Sequence, residues 1–125
     1  MTISNNKDRG EFSKAAFIRE DRVLGNKHLD LSIMYATENF RNGTMISRSI
    51  WNEILLYLSM QRQVHKSIEI LGIKDFSGKV IVVKESKGIR AKPKIEITEE
   101  KKRFWGVRSV EELLERMAIF HLENH

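Results

Sequence analysis

The spacing of apolar residues along the chain predicts four or five helices. In the first, apolar residues recur at three- and four-residue intervals, at Leu29, Ile33, Ala36 and Phe40. We expect the side chain of Asn26 to cap its first turn and the Asn42-Gly43 pair to end it. A second helix is predicted over residues 47–59, and a third begins near Val64 after a polar break at residues 59–63.

The last quarter of the chain predicts two more helices. Thr98 can cap a short helix that runs to Trp105 and is stopped by Gly106. Ser109 and Glu112 have the S-x-x-E spacing of a capping box, in which each side chain satisfies the other residue's free amide. A helix from Val110 to about Glu123 is therefore expected.

Strand patterns are fewer. Residues 79–83 contain the β-branched run Val80-Ile81-Val82-Val83, which is typical of a strand buried on both faces. Residues 15–24 predict one strand or two short ones, and residues 92–97 alternate like a half-exposed edge strand that includes Pro93. Because consecutive helices precede the clear strands, the predicted class is α+β: a small mixed or antiparallel sheet packed against helices in two layers.

The chain has 125 residues, of which 41% are hydrophobic, and this fits a single domain. Residues 1–14 contain few large apolar side chains, so we expect a flexible tail there and one domain over residues 15–125. The sequence has no cysteine, which excludes disulfides, cysteine-ligated zinc and a thiol nucleophile. It also has no apolar run long enough for a membrane span, and a cytoplasmic protein without membrane contact is expected.

Catalytic signatures are absent from the sequence. There is no P-loop, dinucleotide fingerprint, zinc-protease motif or nucleophile elbow, and the four histidines lack a ligand spacing. The acidic pair Glu99-Glu100 and the cluster at residues 111–115 stand at predicted helix starts, where negative charge offsets the helix dipole. We therefore predict no enzyme activity, no metal, no cofactor and no small-molecule substrate.

Positive charge is distributed unevenly along the chain. The net charge is +5, and residues 84–103 hold eight basic against four acidic side chains, a local excess of 8 − 4 = +4. This segment could be a solvated edge of the sheet or a surface that binds phosphates. A second basic group, Arg62, His65 and Lys66, lies at the start of the third helix beside Gln61 and Gln63. It suits a nucleic-acid end, but an ordinary exposed turn has the same composition.

The last helix has more apolar residues than one buried face requires. An inward stripe is followed by additional apolar positions, at Ala118, Ile119, Phe120 and Leu122. Either this helix is central to the domain, or its end docks onto another protein through an apolar face.

Three stretches of the sequence resemble the PRPK-binding protein (TPRKB) family, the small kinase-binding subunit of the KEOPS complex. Residues 49–55 match the S-x-W-x-E-I-L of archaeal members, and residues 61–65, Q-R-Q-V-H, match their Q-R-Q-I-H. Residues 112–122 resemble the family's C-terminal helix. The helix that members carry between two later strands is missing, so the chain looks like a trimmed archaeal-type member.

The resemblance implies a non-catalytic subunit. KEOPS transfers a threonylcarbamoyl group onto an adenosine of tRNA through another subunit. Members of the family bind and stimulate its kinase-like ATPase subunit, and in archaea they capture tRNA by its single-stranded 3′ CCA end. The expected protein interface is Leu114, Ala118, Phe120 and Leu122. The expected RNA contacts are Gln61, Arg62, Gln63, His65, Lys66, Lys87, Arg90 and Lys92. The alternative is a stand-alone basic RNA-binding module.

Overall fold

The structure, a computed structural model, describes the backbone of residues 2–5 and all of residues 14–85 and 93–124. Within those residues the chain is α+β, as predicted. Its strands are β1 (Thr2–Asn5), β2 (Ala15–Arg19) and β3 (Val80–Lys84). Its helices are α1 (Gly25–Asn42), α2 (Ile50–Ser59), α3 (Val64–Leu71), α4 (Glu99–Trp105) and α5 (Val110–Glu123), with a 3-10 turn at Glu20–Arg22.

The three strands form an antiparallel sheet with β3 in the centre. Val83 pairs with Ala16 of β2 and with Ile3 of β1, and residues 80–83 are all buried, as a central strand requires. The predicted tail over residues 1–14 is therefore corrected for Thr2–Asn5, which pair with β3. Residues 6–13 lie outside the described part of the chain.

Most helix ends lie where their capping residues predict. The hydroxyls of Ser49, Thr98 and Ser109 accept hydrogen bonds from first-turn amides of α2, α4 and α5. The prediction that Asn26 caps α1 is wrong. Its side chain instead holds the segment that begins at Pro93. It donates to the carbonyl of Pro93 at 3.0 Å and accepts from the amide of Ile95 at 2.8 Å.

That bridge replaces the predicted edge strand. Residues 93–98 have no strand assignment, because the backbone of Ile95 bonds to a side chain of α1 rather than to a neighbouring strand. Ile95 is buried in the main hydrophobic cluster. The alternating pattern in this segment thus reflects one buried side chain in an extended chain, and not membership of the sheet.

Two apolar clusters hold the layers together. The first lies between the sheet and helices α1 and α2, and includes Ile18 and Ile81 from the strands with Leu29 and Ile54 from the helices. The second surrounds the inward face of α5 and contains Leu24, Val107, Val110, Leu113 and Met117. Half-buried side chains of α1 pack against this second cluster, so α5 is fixed along α1.

One histidine, His28, is completely enclosed in the domain. Its Nδ1 accepts a hydrogen bond from the amide of Leu24 at 2.9 Å, so its Nε2 carries the proton and donates to the carbonyl of Leu58 at 3.0 Å. Both nitrogens are satisfied only in the neutral ring. Burial therefore lowers the pKa of His28 from 6.5 to about 4, an effect to which the nearby charge of Lys101 adds.

A buried carboxylate, Glu53, organises the loop between α1 and α2. It accepts hydrogen bonds from the amides of Ile46 and Ser47 at 3.0 and 2.8 Å and from the Ser47 hydroxyl at 2.7 Å. Asn39 of α1 donates a further bond at 3.0 Å. Glu53 lies in the W-x-E-I-L stretch, and these four bonds explain why a carboxylate stands at that position.

Acid should weaken the fold through His28. Between pH 6.5 and 4 the unfolded chain binds a proton that the folded chain excludes, so the free energy of unfolding falls as the pH drops. The contribution is about 1.4 kcal/mol per pH unit in that window and absent above it. Urea unfolding at pH 7, 6, 5 and 4 measures the slope. His28→Leu should lose this component, whereas His65→Gln, at an exposed position, should keep it. Equal slopes for wild type and His28→Leu would refute this assignment.

Replacing the buried carboxylate should destabilise the protein strongly. Glu53→Gln places an amide donor among groups that are themselves donors, and we expect a loss of about 2–3 kcal/mol in the free energy of unfolding. Urea denaturation measures the change. Glu69→Gln, the same substitution on the exposed side of α3, should stay within about 0.5 kcal/mol of wild type. A similarly small loss for both variants would contradict the role given to Glu53.

Candidate protein and RNA interfaces

The turn between α2 and α3 has an uncommon backbone conformation. Met60 ends α2 in the left-handed region at φ 55°, where glycine is the usual residue, and its amide bonds back to the carbonyls of Leu56 and Tyr57. Gln63 is the N-cap of α3, and its side chain makes no capping hydrogen bond. The first turn of α3 therefore presents amides and the positive end of the helix dipole beside exposed Arg62 and Lys66.

A cleft of about 310 Å³ lies between this turn and the end of α5. Four of the predicted RNA-contact residues, from Gln61 to Lys66, line it together with side chains from α5 and its C-cap. The full lining is Met60, Gln61, Arg62, Gln63, Lys66, Phe120, Glu123 and Asn124. His65, also predicted, is exposed on α3 but does not line the cleft. Lys87, Arg90 and Lys92 fall outside the described residues.

The charges around the cleft are not neutralised within the described part of the chain. Arg62 and Lys66 form no ion pair with another described residue, and neither does Glu123 on the opposite wall. Met60 and Phe120 add apolar surface to the cleft. Cations, amide side chains and apolar walls together can hold phosphates and the faces of bases.

The other edge of α5 carries an apolar row. Leu114, Ala118 and Leu122 are spaced by four residues, so they lie along one side of the helix. Leu114 and Ala118 are half-buried, and Leu122 is 75% exposed. This row is the part of the predicted protein interface that reaches solvent.

Phe120 does not belong to that row. It is only 8% exposed, and its ring meets Tyr57 edge-on with 5.3 Å between centroids. Leu122 is two positions further along the helix, which places the two side chains about 200° apart around its axis. Phe120 is therefore removed from the predicted protein surface and assigned to the wall of the cleft.

A polar contact fixes the end of α5. The hydroxyl of buried Tyr57 accepts a hydrogen bond from Asn39 at 2.9 Å and is hydrogen-bonded to Nδ1 of His121 at 2.6 Å. Burial raises the pKa of Tyr57, so the hydroxyl keeps its proton. The ring of Tyr35 stacks on the rings of Tyr57 and His121, with 5.0 Å and 4.3 Å between the ring centroids. The C-terminal turns of α5 are thus held against α1 and α2.

Sequence reasoning missed three residues of the cleft: Met60, Glu123 and Asn124. The two walls are remote in the sequence, and no local pattern shows that α5 ends beside the α2–α3 turn. The one available signal for Met60 was its position directly before the polar run Gln61-Arg62-Gln63. A helix that ends there needs a residue in the left-handed conformation, and Met60 is that residue.

Other kinds of site find little support in the described residues. No group of three or more His, Asp or Glu side chains among them is placed to hold a metal ion. Each helix within residues 14–85 and 93–124 is too short or too polar to cross a lipid bilayer.

Comparison with known proteins agrees with the resemblance noted in the sequence. The family model described as "Kinase binding protein CGI-121" matches residues 2–116. The "Regulatory protein Cgi121" of Methanocaldococcus jannaschii is 30% identical in an alignment that covers 88% of this chain and 85% of that protein. Both descriptions refer to regulation or kinase binding rather than to an enzymatic reaction. The chain therefore belongs to the CGI-121 family of kinase-binding proteins.

Proposed function

We propose that this protein is a non-catalytic subunit of the KEOPS tRNA threonylcarbamoyladenosine modification complex. In this role it binds and stimulates the kinase-like ATPase subunit and recruits tRNA through the 3′ CCA end. Family membership and the kinase-binding description of the family support the protein partner. The proposal for tRNA depends on the resemblance of residues 61–65 and on the chemistry of the cleft.

The apolar edge of α5 supports the contact with the ATPase subunit. Leu122 exposes most of a large apolar side chain beyond the half-buried Leu114 and Ala118. Burying such a side chain at an interface is worth roughly 1.5–3 kcal/mol. A helix that presents an apolar row is one of the common ways in which proteins recognise a groove on a partner.

The cleft supports the contact with RNA. Arg62 and Lys66, which form no ion pair with any described residue, provide positive charge beside the start of α3, and Gln61 and Gln63 can both donate and accept hydrogen bonds. Single-stranded RNA exposes its base edges and its phosphates together, so a cleft that offers groups for both suits a free RNA end.

The observation that carries the combined proposal is the placement of the two surfaces on α5. Phe120 and Glu123 line the cleft, whereas the row that ends at Leu122 lies on another side of the same helix. A protein on the apolar row and an RNA end in the cleft would therefore occupy different surfaces. This arrangement suits an adaptor that holds tRNA while it is bound to the ATPase.

Introducing a charge into the apolar row should disrupt the protein complex. Leu122→Asp removes apolar contact and places a carboxylate at the interface, so we expect the dissociation constant for the kinase-like ATPase subunit to rise at least about tenfold. Stimulation of ATP hydrolysis should fall with it. Isothermal titration calorimetry and an ATPase assay measure the two effects.

The matched control is Ile68→Asp, which makes a similar change at an exposed apolar residue of α3 and should bind the ATPase normally. Circular dichroism verifies that each variant is folded. Normal binding by folded Leu122→Asp would refute the assignment of this row. Absence of ATPase binding by the wild-type protein, with tRNA binding retained, would favour the stand-alone RNA-binding module.

Removing a cation from the cleft should reduce the salt dependence of tRNA binding. Arg62→Gln keeps a polar side chain but loses one phosphate contact, so the slope of log K against log salt should fall by about one. Gel shifts over a series of salt concentrations measure the slope. Lys27→Gln, at an exposed position on α1 outside the cleft, should leave it unchanged.

The same assay tests recognition of the RNA end. Wild-type protein should bind intact tRNA more tightly than tRNA trimmed of its CCA. Equal binding of the two RNAs would show that the cleft binds phosphates without recognising the terminus, and would overturn the tRNA part of the proposal.

A further inference from the structure

We propose that Glu123 selects for bases that carry an exocyclic amino group over uracil, which carries none, in the RNA strand bound by the cleft. This inference depends on the proposed function, because it assigns a reader of base identity within the proposed tRNA site. The remaining charged residues of that cleft, Arg62 and Lys66, would position phosphates and carry no sequence information.

The position of Glu123 motivates the proposal. Glu123 lines a cleft whose other charged residues, Arg62 and Lys66, are cations, and it forms no ion pair with any of the described residues. A carboxylate in a site for phosphates alone would oppose binding through like-charge repulsion. A carboxylate favours binding where the ligand presents hydrogen-bond donors to it.

Nucleobases differ in the donors that they present. A carboxylate only accepts hydrogen bonds, and the exocyclic amino groups of cytosine, adenine and guanine donate them, whereas uracil has no such group. Uracil has a carbonyl oxygen where cytosine has the amino group, so it would face the carboxylate with a second acceptor. Each of the three bases in a CCA end carries such an amino group, which matches a wall that accepts hydrogen bonds.

The neighbouring C-cap residue adds to this acceptor wall. The Nδ2 of Asn124 donates to the carbonyl of Phe120 at 2.7 Å, which leaves its Oδ1 as an acceptor beside Glu123. Phe120 and Met60 provide the apolar surface against which a base can pack. Glu123 and Asn124 lie beyond residues 2–116, the part of the chain matched by the family model.

The test compares two tRNA transcripts that end in CCA or in UUA, with the full chain at one fixed salt concentration. Fluorescence anisotropy measures both dissociation constants. Wild-type protein should bind the CCA end at least about tenfold more tightly, since a well-placed contact to a base is worth roughly 1–3 kcal/mol of discrimination. Glu123→Gln should bind both ends with affinities within about threefold of each other, because an amide can accept from cytosine or donate to uracil.

Glu115→Gln is the matched control, since it removes the same charge from an exposed position on α5 outside the cleft. It should keep the wild-type preference. A preference for CCA over UUA that survives in Glu123→Gln would overturn this inference while leaving the proposed function intact. Tighter binding of both ends by Glu123→Gln with an unchanged ratio would mean that the carboxylate only repels phosphates. Equal binding of intact and trimmed tRNA by wild type would instead refute the proposed tRNA site.

Discussion

The position of the last helix depends on a chain of buried polar side chains. Glu53 holds the α1–α2 loop and accepts from Asn39, Asn39 also donates to the Tyr57 hydroxyl, and Tyr57 bonds to His121 of α5. Leaving any of these groups unsatisfied in the interior would cost more than a typical surface contact provides. The network therefore selects one packing of α5, which an apolar cluster alone would specify less strictly.

The cleft is a consequence of that packing. Tyr57 is near the end of α2, and its carbonyl accepts the amide of Met60, the residue that turns the chain toward α3. Its hydroxyl bonds to His121, whose neighbour Phe120 lines the opposite wall together with Glu123 and Asn124. One tyrosine thus contacts both walls. The strained conformation of Met60 belongs to the same arrangement, because a helix that continued past residue 59 would not leave this gap.

Local patterns in the sequence predicted the helices well, because capping and apolar spacing act over a few residues. Thr98 and Ser109 cap their helices as expected, but Asn26 instead bonds to a segment almost seventy positions away. Strand β1 was missed for a related reason: pairing with β3 depends on a partner remote in the chain rather than on local composition. The cleft required the same kind of information, since the contact between Tyr57 and His121 has no local sequence signal.

The over-apolar character of α5 was visible in the sequence, but the role of each residue was not. Periodicity gives the angle of a side chain around its helix, whereas the neighbouring elements decide which angles are covered. Phe120 packs against Tyr57 and is only 8% exposed, whereas Leu122 is 75% exposed, so two residues of one apolar stretch belong to different surfaces. His121 lies between them in sequence and points inward to Tyr35 and Tyr57. Any influence of a partner bound at one surface on the other surface would therefore pass through α5. Because the polar network fixes the inward face of this helix, the helix is a rigid wall, and this favours independent occupation of the two surfaces.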